Sequence, residues 1–524
     1  MTLLATLPDG LEDADALIAR REVAATRKEL WRSVYTECYR FAMPSRETFT
    51  WTVEGQDKTR QLYDSTLQEY TYEAANTTCA ILFPPWSRWA ELTAGGAIPK
   101  AELSEELIEG FQESTHTFFD FLNSSNFAQV IGEVALDLMI GTGGLSFNEG
   151  DDENPFVFTS LPLSAIELEE GPNGAVETTF MLRKPQARNL LRMYEGMALF
   201  DLPSALAEII GTKPEQTIEI IQGEVYNPKN KHYYGVVIDK TSKSIIWRYD
   251  YGLSCPAIIA RATKAAGELY GRGRVMLALA DAKTLDKMQE FLLRNAALQI
   301  APPMTAVSDG VFNPYTAVLA PNTVLPVASN ANDNPSLRVL ELGGNFAIGD
   351  KLMSDLRERV RRAMLGPNMS DGAIKSATEI STADRDRLWA MGGEFGRIQA
   401  ELLTKIVARG VYILQRKGLM PKFKVDGREV AVKYTSPFAR SQNAEDVMAL
   451  QRALVLASSV GPEELKLGVR TENIPAWAFR KEGVDEALVR PESEKKQVAE
   501  TATNVLSAAQ EAEAGGAVPQ GVAA

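Results

Sequence analysis

The chain has 524 residues, 45% hydrophobic and 24% charged, ordinary values for soluble globular protein, and at about 150 residues per domain it is long enough for about three or four domains. Its 55 Lys and Arg stand against 69 Asp and Glu, a net charge of −14, which excludes a protein whose main task is to grip nucleic acid but not one past which nucleic acid slides. Three cysteines without CxxC spacing (Cys38, Cys79, Cys255) and only two histidines (His116, His232) argue against a disulfide framework, a thiolate zinc site and Ser-His or Cys-His catalysis.

The apolar runs are short, Val275 to Ala280 among the longest, far from the roughly 18 residues that a membrane span needs. The first residues lack a basic leader and meet Pro8 and Asp9 at once, so no secretory signal is expected and the cytoplasm is the expected compartment.

In chain order, residues 13–42 predict a helix with an apolar stripe of Leu17, Ala24, Leu30, Trp31, Val34, Cys38 and Phe41, stopped before Pro44. A second helix is expected from Ser65 to about Leu82, against Pro84 and Pro85. A third helical signal covers 101–140, rich in Phe, and Gly141-Thr-Gly-Gly144 closes it as a C-cap and turn. His116 on this stretch reads as a packed core side chain, and Trp86 with Trp89 as a packed corner.

Between 155 and 260 the texture changes to short strands at Phe156, Ile166, Thr178, Ile218, Gly223, Tyr234 and Ser244, with a helical interlude at 186–210. Helical spacing returns at 275–298, with Leu285, Met288, Leu292 and Ala296 on one face, and Pro302-Pro303 ends it. Residues 301–347, rich in Pro, Asn, Gly, Val and Thr, fit strand and loop. A helix at 349–365 follows, with an apolar seam of Leu352, Leu356, Val360 and Ala363 opposite Arg357, Glu358 and Arg361.

After a break at Gly366–Gly372 comes a long helix, 378–417. It starts on the capping box Ser376-Ala-Thr-Glu379 and carries a seam of Leu388, Met391, Phe395, Ile398, Leu402 and Ile406. Arg416 and Lys417 suit its negative end, and Gly418 stops it. Gly392, Gly393 and Gly396 inside it predict either close backbone packing or a bend. A short strand pair, helices at 443–458 and 492–512, and a flexible tail complete the chain.

No catalytic set assembles. The P-loop string is missing, and Gly271-Arg-Gly273 lacks the third glycine of a dinucleotide fingerprint. The carboxylates Glu167, Glu169 and Glu170, and Glu149, Asp151, Asp152 and Glu153, read as solvated loop charge, with weak cation binding as the alternative for the second group.

Several segments, taken in order, resemble the head-to-tail connector (portal) proteins of short-tailed, podovirus-type bacteriophages. They are Leu30-Trp-Arg-Ser-Val-Tyr-Thr-Glu-Cys-Tyr-Arg-Phe-Ala-Met-Pro44, Leu62-Tyr-Asp-Ser-Thr66, Leu82-Phe-Pro-Pro-Trp-Ser-Arg-Trp-Ala-Glu-Leu92, Ser125-Asn-Phe with Leu138-Met-Ile-Gly-Thr-Gly143, Ala377-Thr-Glu-Ile, and Gln399-Ala-Glu-Leu-Leu with Gly418-Leu-Met-Pro421. The resemblance spans about residues 25–490. Each motif is weak alone; their order makes the case.

The resemblance implies an α+β, mainly helical portal fold of wing, stem, clip and crown, assembled as a ring of twelve subunits. The wing is expected at 1–274, the stem helices at 275–300 and 348–365 around a clip at 301–347, and a tunnel loop at 366–376. The long wing helix and wing strands would fill 377–440, crown-side helices 441–512 and a tail 513–524. No enzymatic activity and no cofactor is implied. The implied partners are further copies of the chain, double-stranded DNA passing without sequence specificity, the packaging terminase, major capsid and scaffolding proteins, and tail adaptor and internal core proteins. The place is the portal vertex of the virion, after assembly in the host cytoplasm, without membrane insertion. In such a ring Arg357, Glu358, Arg361 and the tunnel-loop Lys375 would line the DNA channel; a solvated or salt-bridged helix face is the simpler alternative for the first three. The alternatives in function are another head or tail structural protein, or a cytoplasmic enzyme using the glycine turn and acidic residues at 141–153.

Overall fold

The computed structural model describes residues 7–8, 11–50, 58, 62–84, 88–95, 105–194, 196–197, 202–302, 304–306, 337–339, 346–366, 392–422, 430–434, 447–455 and 474–482. The chain divides into two units, Met1–Ala80 with Leu92–Val432, and Ile81–Glu91 with Lys433–Ala524.

In the first unit, α1 (Ala14–Ala42) starts on Asp13, whose carboxylate accepts the Asp15 N–H at 3.0 Å. Its buried face is Leu17, Ala24, Lys28, Tyr35, Cys38, Tyr39 and Ala42. The expected stripe is thus only partly right: Leu30 is 79% exposed, Val34 is exposed, and Trp31 and Phe41 are half-buried. The tyrosines win the inward positions because their hydroxyls find buried acceptors, Tyr39 on Asp137 at 2.8 Å and Tyr35 on the Gly271 carbonyl at 3.4 Å. Trp31 lies over the edge of this face, stacked on Tyr35 with the Arg272 guanidinium 5.0 Å from its ring.

Next come α2 (Thr66–Leu82), β1 (Ala90–Ala94), α3 (Glu105–Ser124) and α4 (Phe127–Ile140). The single helical signal at 101–140 is two helices, separated where the Ser125 hydroxyl bonds back to the Leu122 carbonyl and the Asn126 side chain bonds the distant Phe158 backbone. Gly141 does cap α4, but Thr142–Glu149 is a strand, β2, and not a turn. β2 is the middle strand of an antiparallel three-stranded sheet, between β3 (Phe156–Leu161) and β9 (Ala257–Arg261). Its glycines hid it. A side chain at Gly143 would lie 2.7 Å from the Val134 carbonyl, and one at Gly144 2.8 Å from both Ile166 and Ile259, so the strand is glycine-rich to lie flat on its neighbours.

The five-stranded sheet is an antiparallel meander of β4 (Ile166–Glu170), β5 (Val176–Arg183), β6 (Ile220–Asn227), β7 (His232–Asp239) and β8 (Ser244–Gly252). The two strands expected at Ile218 and Gly223 are one, β6. One sheet face, with Phe180, Ile221, Val225, Tyr234, Val236 and Ile238, packs on Leu17 and Ala24 of α1. The other, with Ile220, Val237, Trp247, Tyr249 and Tyr251, is covered by the helical interlude, which comprises a 3₁₀ turn (Ala187–Asn189), α5 (Leu190–Met193) and α6 (Ser204–Thr212).

Then α7 (Arg274–Ile300), β10 (Met304–Ala306), β11 (Leu337–Val339) and α8 (Phe346–Leu365) follow. The long helix appears as α9 (Gly392–Ile398), a π turn (Gln399–Leu403) and α10 (Thr404–Arg416). Its seam of Phe395, Ile398, Leu402 and Ile406 is buried as expected. Its end is a Schellman cap, with Leu419 N–H on Leu414 O at 2.9 Å and Gly418 at φ 74°. Gly393 and Gly396 meet nothing, so neither allows close packing; that role falls to Gly410, where a Cβ would lie 2.3 Å from Phe118. The capping box, Leu388 and Met391 lie outside the described residues.

β12 (Val430–Tyr434) pairs with β1. In the second unit Phe83 meets Trp89 edge to face at 5.2 Å, and Glu91 pairs with Lys433 at 3.2 Å. Helices at 447–455 and Ile474–Glu482 are present; the second was not expected, and the helix expected at 492–512 lies outside the described residues.

Candidate functional site

The α7–α8 hairpin carries the residues that the sequence points to. Arg274, at the start of α7, donates to the Met364 carbonyl at 3.0 Å and to Glu394 of α9 at 3.0 Å, which fixes the base of the hairpin. Val275, Ala278, Ala282 and Leu285 of α7 are buried, as are Met353, Val360 and Met364 of α8. Beyond the helices, β10 and β11 pair antiparallel, Met304 opposite Val339.

The seam on α8 differs from the expected one. Leu352 is 49% exposed, Leu356 and Ala363 are half-buried, and the buried set steps through Met353, Val360 and Met364. Val360 is buried as expected, but towards the helix ends the buried positions shift from Leu352 and Ala363 to Met353 and Met364, a turn of the face by less than one residue step of about 100°. Both apolar series fit helical spacing, so spacing alone does not choose between them, and the adaptable methionine side chains suit the buried positions.

Turning the helix brings the charged face nearer its neighbours. Arg357 donates to Asp64 Oδ2 at 3.3 Å. Asp64 also caps α2 by accepting the Thr66 N–H at 2.9 Å, and Asp286 of α7 accepts the N–H groups of Tyr63 and Asp64 at 2.6 and 3.1 Å. Arg357 therefore ties α8 to the start of α2. Arg361 donates to both oxygens of Glu358, at 2.9 and 3.1 Å, and that hydrogen bond holds the Glu358 carboxyl below its usual range. Arg362, largely exposed, stands 3.8 Å from the same carboxylate. Lys375 lies outside the described residues. The structure thus joins Glu358 and Arg361 in one pair and sends Arg357 to a separate one.

Five large apolar side chains of α7 are exposed: Leu277, Phe291, Leu293, Leu298 and Ile300. At about 100° per residue, Leu277, Phe291 and Leu298 share one flank of the helix, while Leu293 and Ile300 lie on the opposite one. The plane towards α8 runs between them, through Leu285 and Leu292.

The glycine turn and acidic residues offer no open site. Gly141, at φ 152°, crosses the Gly271 backbone so closely that a Cβ would lie 2.2 Å from its carbonyl oxygen. Glu149 pairs with Arg416, Asp152 with Lys417 at 2.8 Å, and Asp151 accepts the Asn154 N–H at 2.6 Å. Glu167, Glu169 and Glu170 are not loop charge: they lie on β4, bound by Arg21 at 2.5 Å, by Arg20 at 2.6 Å and by Lys264. His116 is exposed and not a core residue, because Phe118 and Phe119 take the inward positions. Among the described residues no three His, Cys, Asp or Glu converge as a metal site.

Sequence reasoning missed a heavily bonded buried charge among the described residues. Arg261, 1% exposed at the end of β9, donates to Glu401 of the π turn through its backbone N–H at 2.9 Å and its guanidinium at 2.6 Å, and to the carbonyls of Leu269 and Gly174. Thr404 holds the wide turn closed, its hydroxyl on Gln399 O at 2.9 Å. The signal available was an Arg directly after the apolar run Ala257–Ala260.

Comparison with known proteins bears on these elements. The family model described as "Bacteriophage head to tail connecting protein" matches residues 14–489. Among curated proteins nothing matches. Similar solved structures include a chain of the "Virion of native gene transfer agent (GTA) particle", 13% identical, covering 79% of this chain and 94% of that one at a TM-score of 0.37. Another is from the "Neck of empty GTA particle computed with C6 symmetry", 13% identical, covering 76% and 91% at 0.37. A third is from the "Neck of native GTA particle computed with C12 symmetry", 10% identical, covering 75% and 88% at 0.35.

Proposed function

The chain belongs to the bacteriophage head to tail connecting protein family, and from that premise we propose that it is the portal of a tailed phage, a ring whose axial channel passes double-stranded DNA into the head during packaging and out during ejection. The observation that carries the reading is a family match that runs unbroken over residues 14–489 and so includes the wing-like α/β part and the α7–α8 hairpin together. In this reading residues 1–274 are wing, 275–300 and 348–365 the stem, 301–347 the clip, 366–376 the tunnel loop, 377–440 the long wing helix and wing strands, and 441–512 the crown. Arg357, Glu358, Arg361 and Lys375 face the channel.

The two apolar flanks of α7 support closure into a ring. A cyclic array needs two different patches on each subunit, each covered by the next copy. Leu277, Phe291 and Leu298 on one flank, and Leu293 and Ile300 on the other, supply such a pair. The net charge of −14 suits a conduit, because each phosphate gripped would slow passage. The ring number is proposed as twelve. The clip would hold the terminase during packaging and tail adaptors afterwards, and the wing would meet capsid, scaffolding and internal core proteins; the site is the virion, after assembly in the host cytoplasm. The chain itself catalyses nothing and takes no cofactor in this reading.

Native mass measurement with electron microscopy down the particle axis tests it. A closed ring with an axial hole is expected. A monomer or dimer that cannot be driven into rings overturns the proposal and leaves another head or tail component as the reading.

A further inference from the structure

The aromatic face of the five-stranded sheet holds a carboxyl that the connector reading does not use. Glu224 on β6 is 1% exposed. Its Oε1 accepts Gln222 Nε2 at 2.6 Å, and Gln222 Oε1 accepts the Tyr194 hydroxyl at 2.9 Å. Its Oε2 is buried with no hydrogen-bond partner. Tyr194 belongs to the helical interlude, whose Ala187, Leu190 and Leu206 cover Trp247, Tyr249 and Tyr251. A hydrogen-bonded relay therefore runs from the sheet floor to the segment that roofs it.

The groups around the carboxyl do not compensate a charge. Arg183 of β5 acts on it only at a distance; Tyr194 comes from the interlude, Tyr251 from β8 and Cys255 from the turn after it. The Arg409 guanidinium of α10 stands 5.4 Å from the Tyr251 ring and is spent on the Phe147 and Ser254 carbonyls. A neutral acid is tolerated here, whereas an anion with one unsatisfied oxygen is costly. Burial pushes the carboxyl up to about 7, against the Gln222 hydrogen bond and the Arg183 charge, which lower it.

We propose that Glu224 is a proton-dependent latch that fastens the helical interlude to the sheet, tight while its carboxyl is neutral and slack once it ionises. The proposal is independent of the ring. A carboxyl raised in the folded state stabilises that state fully below its ordinary value of 4.5 and loses the contribution as pH rises to about 7. Opening of the interlude should therefore rise about tenfold per pH unit inside that window and level off above it.

Hydrogen exchange of residues 187–194 and 204–212 in the full chain, corrected for the intrinsic pH dependence of exchange, reads this directly. Protection should fall roughly 30- to 100-fold between about pH 5 and pH 8 and stay flat in Glu224→Gln. His232, whose ring stands 3.0 Å from Asp250 on the same sheet, is the control position, and His232→Asn should keep the transition. A flat wild-type profile overturns the latch, and so does a transition that survives Glu224→Gln and disappears in His232→Asn. Tyr194→Phe, which removes one hydroxyl and keeps the ring, should lower protection of the interlude severalfold at about pH 5; unchanged protection there breaks the link through the relay.

Discussion

The seat of the long helix and the α7–α8 hairpin handle charge and apolar surface in opposite ways. At the seat, Arg261 and Glu401 are withdrawn from water and satisfied within one chain, and Arg409 fills a buried slot against Phe147 and Ser254. On the hairpin Arg357 and Arg362 make ion pairs that are open to water, and Phe291, Leu298 and Ile300 face outward. The first region is satisfied within one chain. The second leaves apolar area uncovered, which is where the proposed ring would need its contacts.

Removing one partner at the seat should give the largest effect. Glu401→Ala leaves Arg261 buried with only the Leu269 and Gly174 carbonyls, and should cost about 3–5 kcal/mol in chemical denaturation. Gly410→Ala comes next. Its Cβ would meet the buried Phe118 ring at 2.3 Å, and overpacking of that kind should cost about 1–3 kcal/mol. Gly396→Ala, earlier on the same long helix, is the control with the opposite sign: nothing lies within 4 Å, so the propensity gain should stabilise by up to about 1 kcal/mol. Equal effects at the two glycines would erase the distinction between a packed and an open helix face.

How much of this was legible depended on whether the deciding contact was local. The helices at Ala14–Ala42, Thr66–Leu82, Arg274–Ile300 and Phe346–Leu365 announce themselves by period and stops, and most of the meander by alternation between turns. β2 was not legible, because its glycines answer to Val134, Ile166 and Ile259, residues distant in sequence or on other elements. The helix faces were misphased for the same reason: Tyr35 and Tyr39 are inside because Gly271 and Asp137 wait for their hydroxyls. At the candidate site the sequence placed Arg357, Glu358 and Arg361 on one helix face, but which of them reaches Asp64 depends on how α8 turns against α7. The buried acid Glu224 carried no sequence signal beyond an interruption of a strand's apolar pattern.

The smallest change in stability is expected at Arg357 and Arg361, and there function and folding should separate. Arg357 is 41% exposed in its side chain, so its pair with Asp64 is screened and its removal should cost at most about 1 kcal/mol. Arg361 is only 13% exposed in its side chain, but its partner Glu358 is 43% exposed and stays solvated without it, so that loss too is modest. Arg357→Ala with Arg361→Ala should therefore assemble as the wild type does in native mass measurement, while the amount of DNA packaged or retained falls if both side chains face the channel. Normal packaging by intact rings would remove the two arginines from the channel and leave them as the tie between α8 and α2 and as a helix-surface pair. Failure to form rings would mean instead that these residues serve the subunit fold, and the flank residues Phe291 and Leu298 give the comparison: Phe291→Asp with Leu298→Asp should abolish ring formation while the monomer's denaturation midpoint stays near that of the wild type, because both side chains are already outside the monomer's core.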